Sequence, residues 1–167
     1  IFHKIKWVST NRKDHPISGL RGLEEMLREH FVISKSAFKP DISWLAKDTK
    51  DIIKKNKILS KYLVILPGSS KKNPLKRWPY FVDLAKLLIS KGYEVITILG
   101  PEELEMNSSF PGHVLENLDW PQLSGIIKNS HFVIGNDSGP SHIASCLNKK
   151  GLALFGPSTS AIRSELK

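Results

Sequence analysis

Short apolar runs closed by glycine or proline, with amphipathic stretches between them, constrain this chain more than any other feature. "YLVILPG" (62–68), "YEVITILG" (93–100), "HFVIG" (131–135) and "GLALFG" (151–156) each hold too few residues for a helix. Their β-branched and aliphatic content suits strands buried on both faces. Between the first two lies "PYFVDLAKLLISKG". Phe81, Leu84, Ala85 and Leu88 there recur at i, i+3, i+4, i+7, Pro79 suits the first turn, and Gly92 is placed to stop the helix. "LDWPQLSGIIKNS" predicts a second helix, capped by Asp119, with Trp120, Leu123 and Ile127 turned inward. "GPSHIASCLN" predicts a third, with Pro140, Ile143, Ala144 and Leu147 on one face. "HVLEN" reads as a further short strand, and "PEELEM" as a helix start with its acids near the positive end of the dipole. Strands alternating with helices predict an α/β, doubly wound parallel sheet of roughly five strands.

The first part of the chain is less regular. "IKWVST" suits a short strand, and "ISGLRGLEEMLREHF" places Leu20, Leu23 and Leu27 on one helical face. "KSAFKPDISWL" has no period and reads as a connector, and "AKDTKDIIKKNKILSK" is polar and helical for part of its length. A boundary is expected near residue 45.

No apolar run reaches the about 20 residues a membrane helix needs, and no secretory leader pattern is present. The single Cys146 has no partner for an internal disulfide, which fits a reducing compartment. The formal net charge of +9 would attract phosphorylated small molecules, nucleic acid or an anionic membrane surface, and it equally describes a solvated basic face.

In a doubly wound sheet, ligands bind outside the carboxyl ends of the strands, where helix N-termini present free N–H groups. The loops expected at that edge are "PGSSKKNPLKRWP" (67–79), "GPEE" (100–103) and "GNDSGP" (135–140). In the last, Gly139 permits close backbone approach, Asp137 or Ser138 can cap the following helix, and His142 falls about one turn into it. These are either the parts of a diphosphate site or an ordinary capped helix with a polar histidine. In the first loop, Ser69 and Ser70 can bond phosphate oxygens and Lys76 supplies a compact charge, unless the lysines are simply solvated. Trp78, before Pro79, reads as a packing anchor rather than the alternative, a stacking platform. Glu102 can accept from a ribose diol or serve only as a helix-start carboxylate. "GxxxxGK[ST]" and "GxGxxG" are both absent.

The order of these motifs is the specific signal. "LPGSSKKNPLKRWPYFVDLAKLL", "ITILGPEE" and "VIGNDSGPSHIASCLNKKGLALFGPS" together resemble glycosyltransferase family 9, the ADP-heptose:lipopolysaccharide heptosyltransferases, over roughly residues 62–159. More loosely, "NRKDHPISGLRGLEEML" is similar to the end of that family's N-terminal domain.

The resemblance implies a GT-B architecture in which two Rossmann-like domains face each other across a cleft. Residues 1–45 would be a partial N-terminal (acceptor) segment and linker, and 46–167 the nucleotide-sugar-binding domain, incomplete at its C-terminus. Ser69, Ser70 and Lys76 would lie at the donor phosphates and Glu102 near the ribose. Asp137, Ser138, Gly139 and His142 would hold the diphosphate and sugar. The implied donor is ADP-heptose and the implied acceptor a lipid A–core of bacterial lipopolysaccharide, joined by inverting transfer with neither metal nor cofactor.

The family's catalytic base belongs to the N-terminal region missing here, and neither Asp14 nor Asp41 matches its context, so no catalytic residue is expected within this chain. The chain thus reads as a fragment or truncated product, cytoplasmic, with peripheral contact to an anionic membrane surface. The alternatives are a non-catalytic nucleotide- or nucleic-acid-binding module and an inactive remnant. No helix-turn-helix or RNA-binding signature accompanies the charge, so a nucleic-acid partner is not expected.

Overall fold

The computed structural model describes residues 41–69 and 74–156, together with 27–28 and 31–32. Leu27 and Arg28 are helical. The rest of the expected strand and helix before residue 41 lies outside the described residues, as do Ser70, the Lys71–Lys72 pair and the segment after Gly156.

Five strands form one parallel sheet: β1 (Tyr62–Leu66), β2 (Glu94–Leu99), β3 (His113–Glu116), β4 (Phe132–Asn136) and β5 (Gly151–Leu154). Their spatial order is β3-β2-β1-β4-β5. The chain therefore builds outward from β1 to β3, then crosses back to place β4 on the other side of β1. Val64 pairs with Ile96 of β2 and with Val133 of β4, so β1 is the buried centre. All five of its residues are buried, which accounts for an apolar run without alternation.

Among the residues described from 41 on, four α-helices flank the sheet: α1 (Lys50–Lys55), α2 (Phe81–Ser90), α3 (Trp120–Asn129) and α4 (Gly139–Cys146). Period two along the strands divides the core in two. Val64, Leu66, Ile96 and Ile98 pack with Leu123, Ile126 and Ile127 of α3 and with Ala144 of α4. Ile65, Val95, Leu99 and Ile134 pack with Phe81 and Ala85 of α2. The expected doubly wound α/β class is thus observed, with helices on both faces.

Local signals account for the helix limits. Asp119 accepts from the Gln122 amide at 2.7 Å while the Gln122 side chain accepts from the Asp119 amide at 3.0 Å, a reciprocal cap at the start of α3. Gly92 stands at φ 84°, a left-handed conformation that ends the turn after α2 at little cost only for glycine.

One local expectation is corrected and another is met. Trp120 does not face inward but is 57% exposed, because as the first residue of α3 it sits at the sheet's carboxyl edge rather than over its face. "PEELEM" does start a helix, of the 3-10 type, over Leu104–Ser109, with Glu103 at the N-cap and Glu105 in the first turn.

The segment around the expected boundary at 45 packs on α3. The Lys47 amide donates to the Pro121 carbonyl at 3.0 Å, and a Cβ at Gly125 would stand 2.1 Å from the Lys47 carbonyl oxygen. Glycine at 125 is what lets this backbone lie against the helix.

Candidate functional site

The order of the sheet reverses between β1 and β4, and the loops leaving their carboxyl ends diverge there. Such a switch point is where doubly wound sheets hold ligands. Asn136, the last residue of β4, is fully buried and joins the loops. Its amide Nδ2 donates to the Pro67 carbonyl at 2.6 Å, and its Oδ1 accepts from the Trp78 amide at 3.1 Å. Its main-chain carbonyl accepts from Ser141 Oγ at 2.6 Å, which fixes the first turn of α4. Gly135 makes this approach feasible, since a Cβ there would lie 2.6 Å from Ser141 Oγ and 2.8 Å from Leu66 Cβ.

Asp137 carries the site's charge. Lys76 Nζ lies 2.7 Å from its Oδ2 and His142 Nε2 lies 3.4 Å from its Oδ1, while the Asp137 side chain is only 7% exposed. The geometry thus brings together Lys76, Asp137 and His142, drawn from loops about 60 residues apart in sequence. Because Asp137 turns toward the lysine, it does not cap α4. Ser138 occupies the N-cap position with extended backbone, but its side chain makes no capping bond either. The expected side-chain cap is therefore corrected: among the described residues no side chain caps the first turn of α4, in which Pro140 has no N–H of its own.

A second ion pair braces the neighbouring loops. Arg77 donates to Glu103 Oε1 at 2.9 Å and to the Ser69 carbonyl at 3.1 Å, and Glu103 Oε2 accepts from the Gly100 amide at 3.0 Å. A Cβ at Gly68 or at Gly100 would come within 2.8 Å of Glu103 Oε2, so glycines at both strand ends make room for this carboxylate. Glu102 faces outward, and Glu103 is buried. Sequence reading singled out Glu102 and passed over Glu103, Arg77 and Asn136. The one available signal was a glycine closing each of two strands, which marks a close approach without naming what approaches. Trp78 packs edge-on against Tyr80 and Phe81, with ring centroids 5.6 and 5.3 Å apart, as a packing anchor should.

A cleft of about 440 Å³ opens at this edge, within the range of small-molecule sites. Ser69, Glu102, Ser138 and Gly139 line it, opposite an apolar wall that includes Leu118 and Trp120. Lys76, Asp137 and His142 are not part of that lining; they form the charged cluster next to Ser138 in the chain. Ser70 lies outside the described residues. Hydroxyls, an open helix N-terminus and a nearby cation suit a phosphorylated ligand, and the apolar wall suits a flat ring.

Fold and site together define a doubly wound α/β domain with a candidate ligand edge at the β1/β4 switch point. The chain belongs to glycosyltransferase family 9, the heptosyltransferases, whose model matches residues 20–163. It is 30% identical to lipooligosaccharide heptosyltransferase 2 of Haemophilus influenzae, an alignment covering 89% of this chain and 49% of that protein. Among solved structures, it is similar to a family 9 glycosyltransferase from Veillonella parvula, with TM-score 0.73 and 22% identity over 90% of this chain and 47% of that one. It is also similar to an Escherichia coli heptosyltransferase solved with ADP, with TM-score 0.60 and 22% identity over 87% of this chain and 49% of that one. The chain spans about half the length of each.

Proposed function

We propose that residues 46–167 form the donor-binding domain of a heptosyltransferase that takes an ADP-linked heptose and passes the sugar to a lipopolysaccharide core, with 1–45 belonging to the acceptor-side domain and linker. The observation that carries this reading is the uncapped first turn of α4, which opens through Ser138 and Gly139 onto a cleft shared with Ser69. In this reading the donor's diphosphate lies against that turn, bonded by Ser69, Ser70, Ser138 and the Gly139 amide. Lys76 and His142 stand by to meet its charge, held by Asp137. Glu102 accepts from the ribose hydroxyls, and the apolar wall takes the base.

The chemistry follows from where charge develops. An acceptor hydroxyl, deprotonated by a base in the other domain, attacks the anomeric carbon, and the departing nucleoside diphosphate gains negative charge. Donors fixed in advance at that position lower the barrier without reorganising. Lys76 and the helix N-terminus are such donors. The work is placed in the cytoplasm, in peripheral contact with the membrane that carries the acceptor.

A thermal-shift series with ADP, ADP-heptose, UDP-glucose and GDP-mannose tests the reading. Stabilisation by the ADP-linked compounds over the others is the expected result, since a ligand that binds only the folded state raises its stability. Equal response to all, or to none, would remove the assignment.

A further inference from the structure

The polar groups of the cleft follow the strand order outward from the switch point. Ser138 comes after β4, Ser69 after β1, Glu102 after β2 and Asn117 after β3, and all four line the cleft. Neighbouring strands lie about 4.8 Å apart, so β3 ends roughly 10 Å from β1. Hydroxyls, then a carboxylate, then an amide beside an apolar wall repeat the order phosphate, ribose, base.

The wall at the far end is Leu118 and Trp120. The Trp120 indole reaches from the start of α3 toward the start of α4, its Cη2 3.8 Å from where a Cβ on Gly139 would stand. More than half of this residue is exposed, so the core does not account for it. Trp78, by contrast, spends its ring on Tyr80 and Phe81. The backbone beneath Trp120 is held on both sides. The reciprocal Asp119–Gln122 cap brackets it, Pro121 follows it, and the Lys47 amide donates to the Pro121 carbonyl at 3.0 Å. A large flat ring on a fixed backbone, with two torsions to restrain, is a ready platform for another flat ring.

Asn117 precedes this wall at φ 54°, a left-handed conformation that asparagine tolerates better than most residues. Its amide donates and accepts together. That pairing matches the edge of adenine, where an N6 hydrogen stands beside an accepting ring nitrogen. The transferred sugar leaves a diphosphate at the end away from the ribose, so the base is the part of the donor that meets Asn117 and Trp120.

We propose that the β3 end of the cleft is a purine-reading pocket, in which Trp120 stacks on the base and the Asn117 amide selects adenine by its edge. The proposal rests on the donor reading above and deepens it by naming the residues that choose the nucleotide. Calorimetric titration of the chain with ADP, GDP and pyrophosphate, with tryptophan fluorescence recorded alongside, tests it.

In the parent, ADP should bind more tightly than GDP and quench the fluorescence. Trp120→Ala should weaken ADP binding about tenfold or more, the worth of one base–aromatic stack, and leave pyrophosphate binding unchanged. Trp120→Phe should recover most of the affinity and lose the quench. Asn117→Asp, whose side chain only accepts, should cut the preference for ADP over GDP about tenfold, since its added charge bears on both nucleotides alike. Undiminished ADP affinity in Trp120→Ala, or an equal loss of pyrophosphate, would overturn the platform. An unchanged ADP-to-GDP preference in Asn117→Asp would overturn the selection by the amide. A parent that bound pyrophosphate and distinguished no base would remove this pocket and leave the diphosphate site standing. A parent that bound neither ligand would remove the donor reading and this pocket with it.

Discussion

Asn136 donates its side-chain amide to the carbonyl of Pro67 at 2.6 Å, and this bond fastens together the two strand ends between which the sheet reverses its order. Its other side-chain atom accepts from the Trp78 amide, so one residue also fixes the segment that bears Lys76. Asparagine can give and accept at once, which neither aspartate nor a hydrocarbon of similar size can do. Asn136→Ala leaves the buried Pro67 carbonyl and the part-buried Trp78 amide unpaired and should cost about 1–3 kcal/mol. Urea unfolding should show a lower midpoint with an unchanged slope, and ADP affinity should fall with it. A midpoint equal to that of the parent would exclude this role.

Lys76 meets Asp137 in the present geometry and is proposed to meet the donor diphosphate as well. Replacing it by alanine should weaken ADP binding by about 1–3 kcal/mol, the range for hydrogen bonds to charged groups. Calorimetric titration measures this directly. Unchanged affinity would take Lys76 out of the site.

The adjacent glutamates should separate cleanly. Glu103→Gln removes the charge facing Arg77 and should destabilise the fold by about 1–3 kcal/mol. Glu102→Gln, on an exposed side chain, should change stability by no more than about 0.5 kcal/mol. It should still lower the affinity for ADP, if its carboxylate receives the ribose. Paired unfolding and binding measurements on the two variants check both halves, and the reverse pattern would refute the assignment.

Tyr62 supplies a pH dependence. Burial pushes its phenol up to about 12, and its hydroxyl donates to the Ile126 carbonyl at 2.9 Å. The folded value lies above the ordinary value of 10.0, so the folded state keeps its proton after the unfolded chain has begun to lose it. This contribution is therefore complete below pH 10 and is lost as pH rises toward about 12. Tyr62→Phe should flatten the alkaline fall in stability, followed by thermal unfolding between those limits. An identical alkaline slope in the variant would show that other groups carry it.

Much of the framework was legible because it rests on local signals. Strand β1 announced itself as an unbroken apolar run, α2 by Phe81 and Ala85 at helical spacing, and α3 by the Asp119 cap. The polar loop Asn136–Gly139 was legible as a strand-to-helix connection at the carboxyl edge of the sheet. What failed locally was orientation at element ends. Trp120 begins a helix, where periodicity has no preceding turn to assign its face, and Asp137 found a lysine more favourable than the cap.

The sequence by itself determined the alternation of strands and helices, the punctuation by glycine and proline, and the chemical character of the loops, since each is set by residues within a turn or two of one another. Only the tertiary structure decided that β1 lies beside β4, that Asn136 reaches Pro67, that Lys76 pairs with Asp137, and that Glu103 rather than Glu102 is buried. The physical reason is that these relations depend on strand order and parallel register, which bring together residues tens of positions apart, and no local period encodes that order.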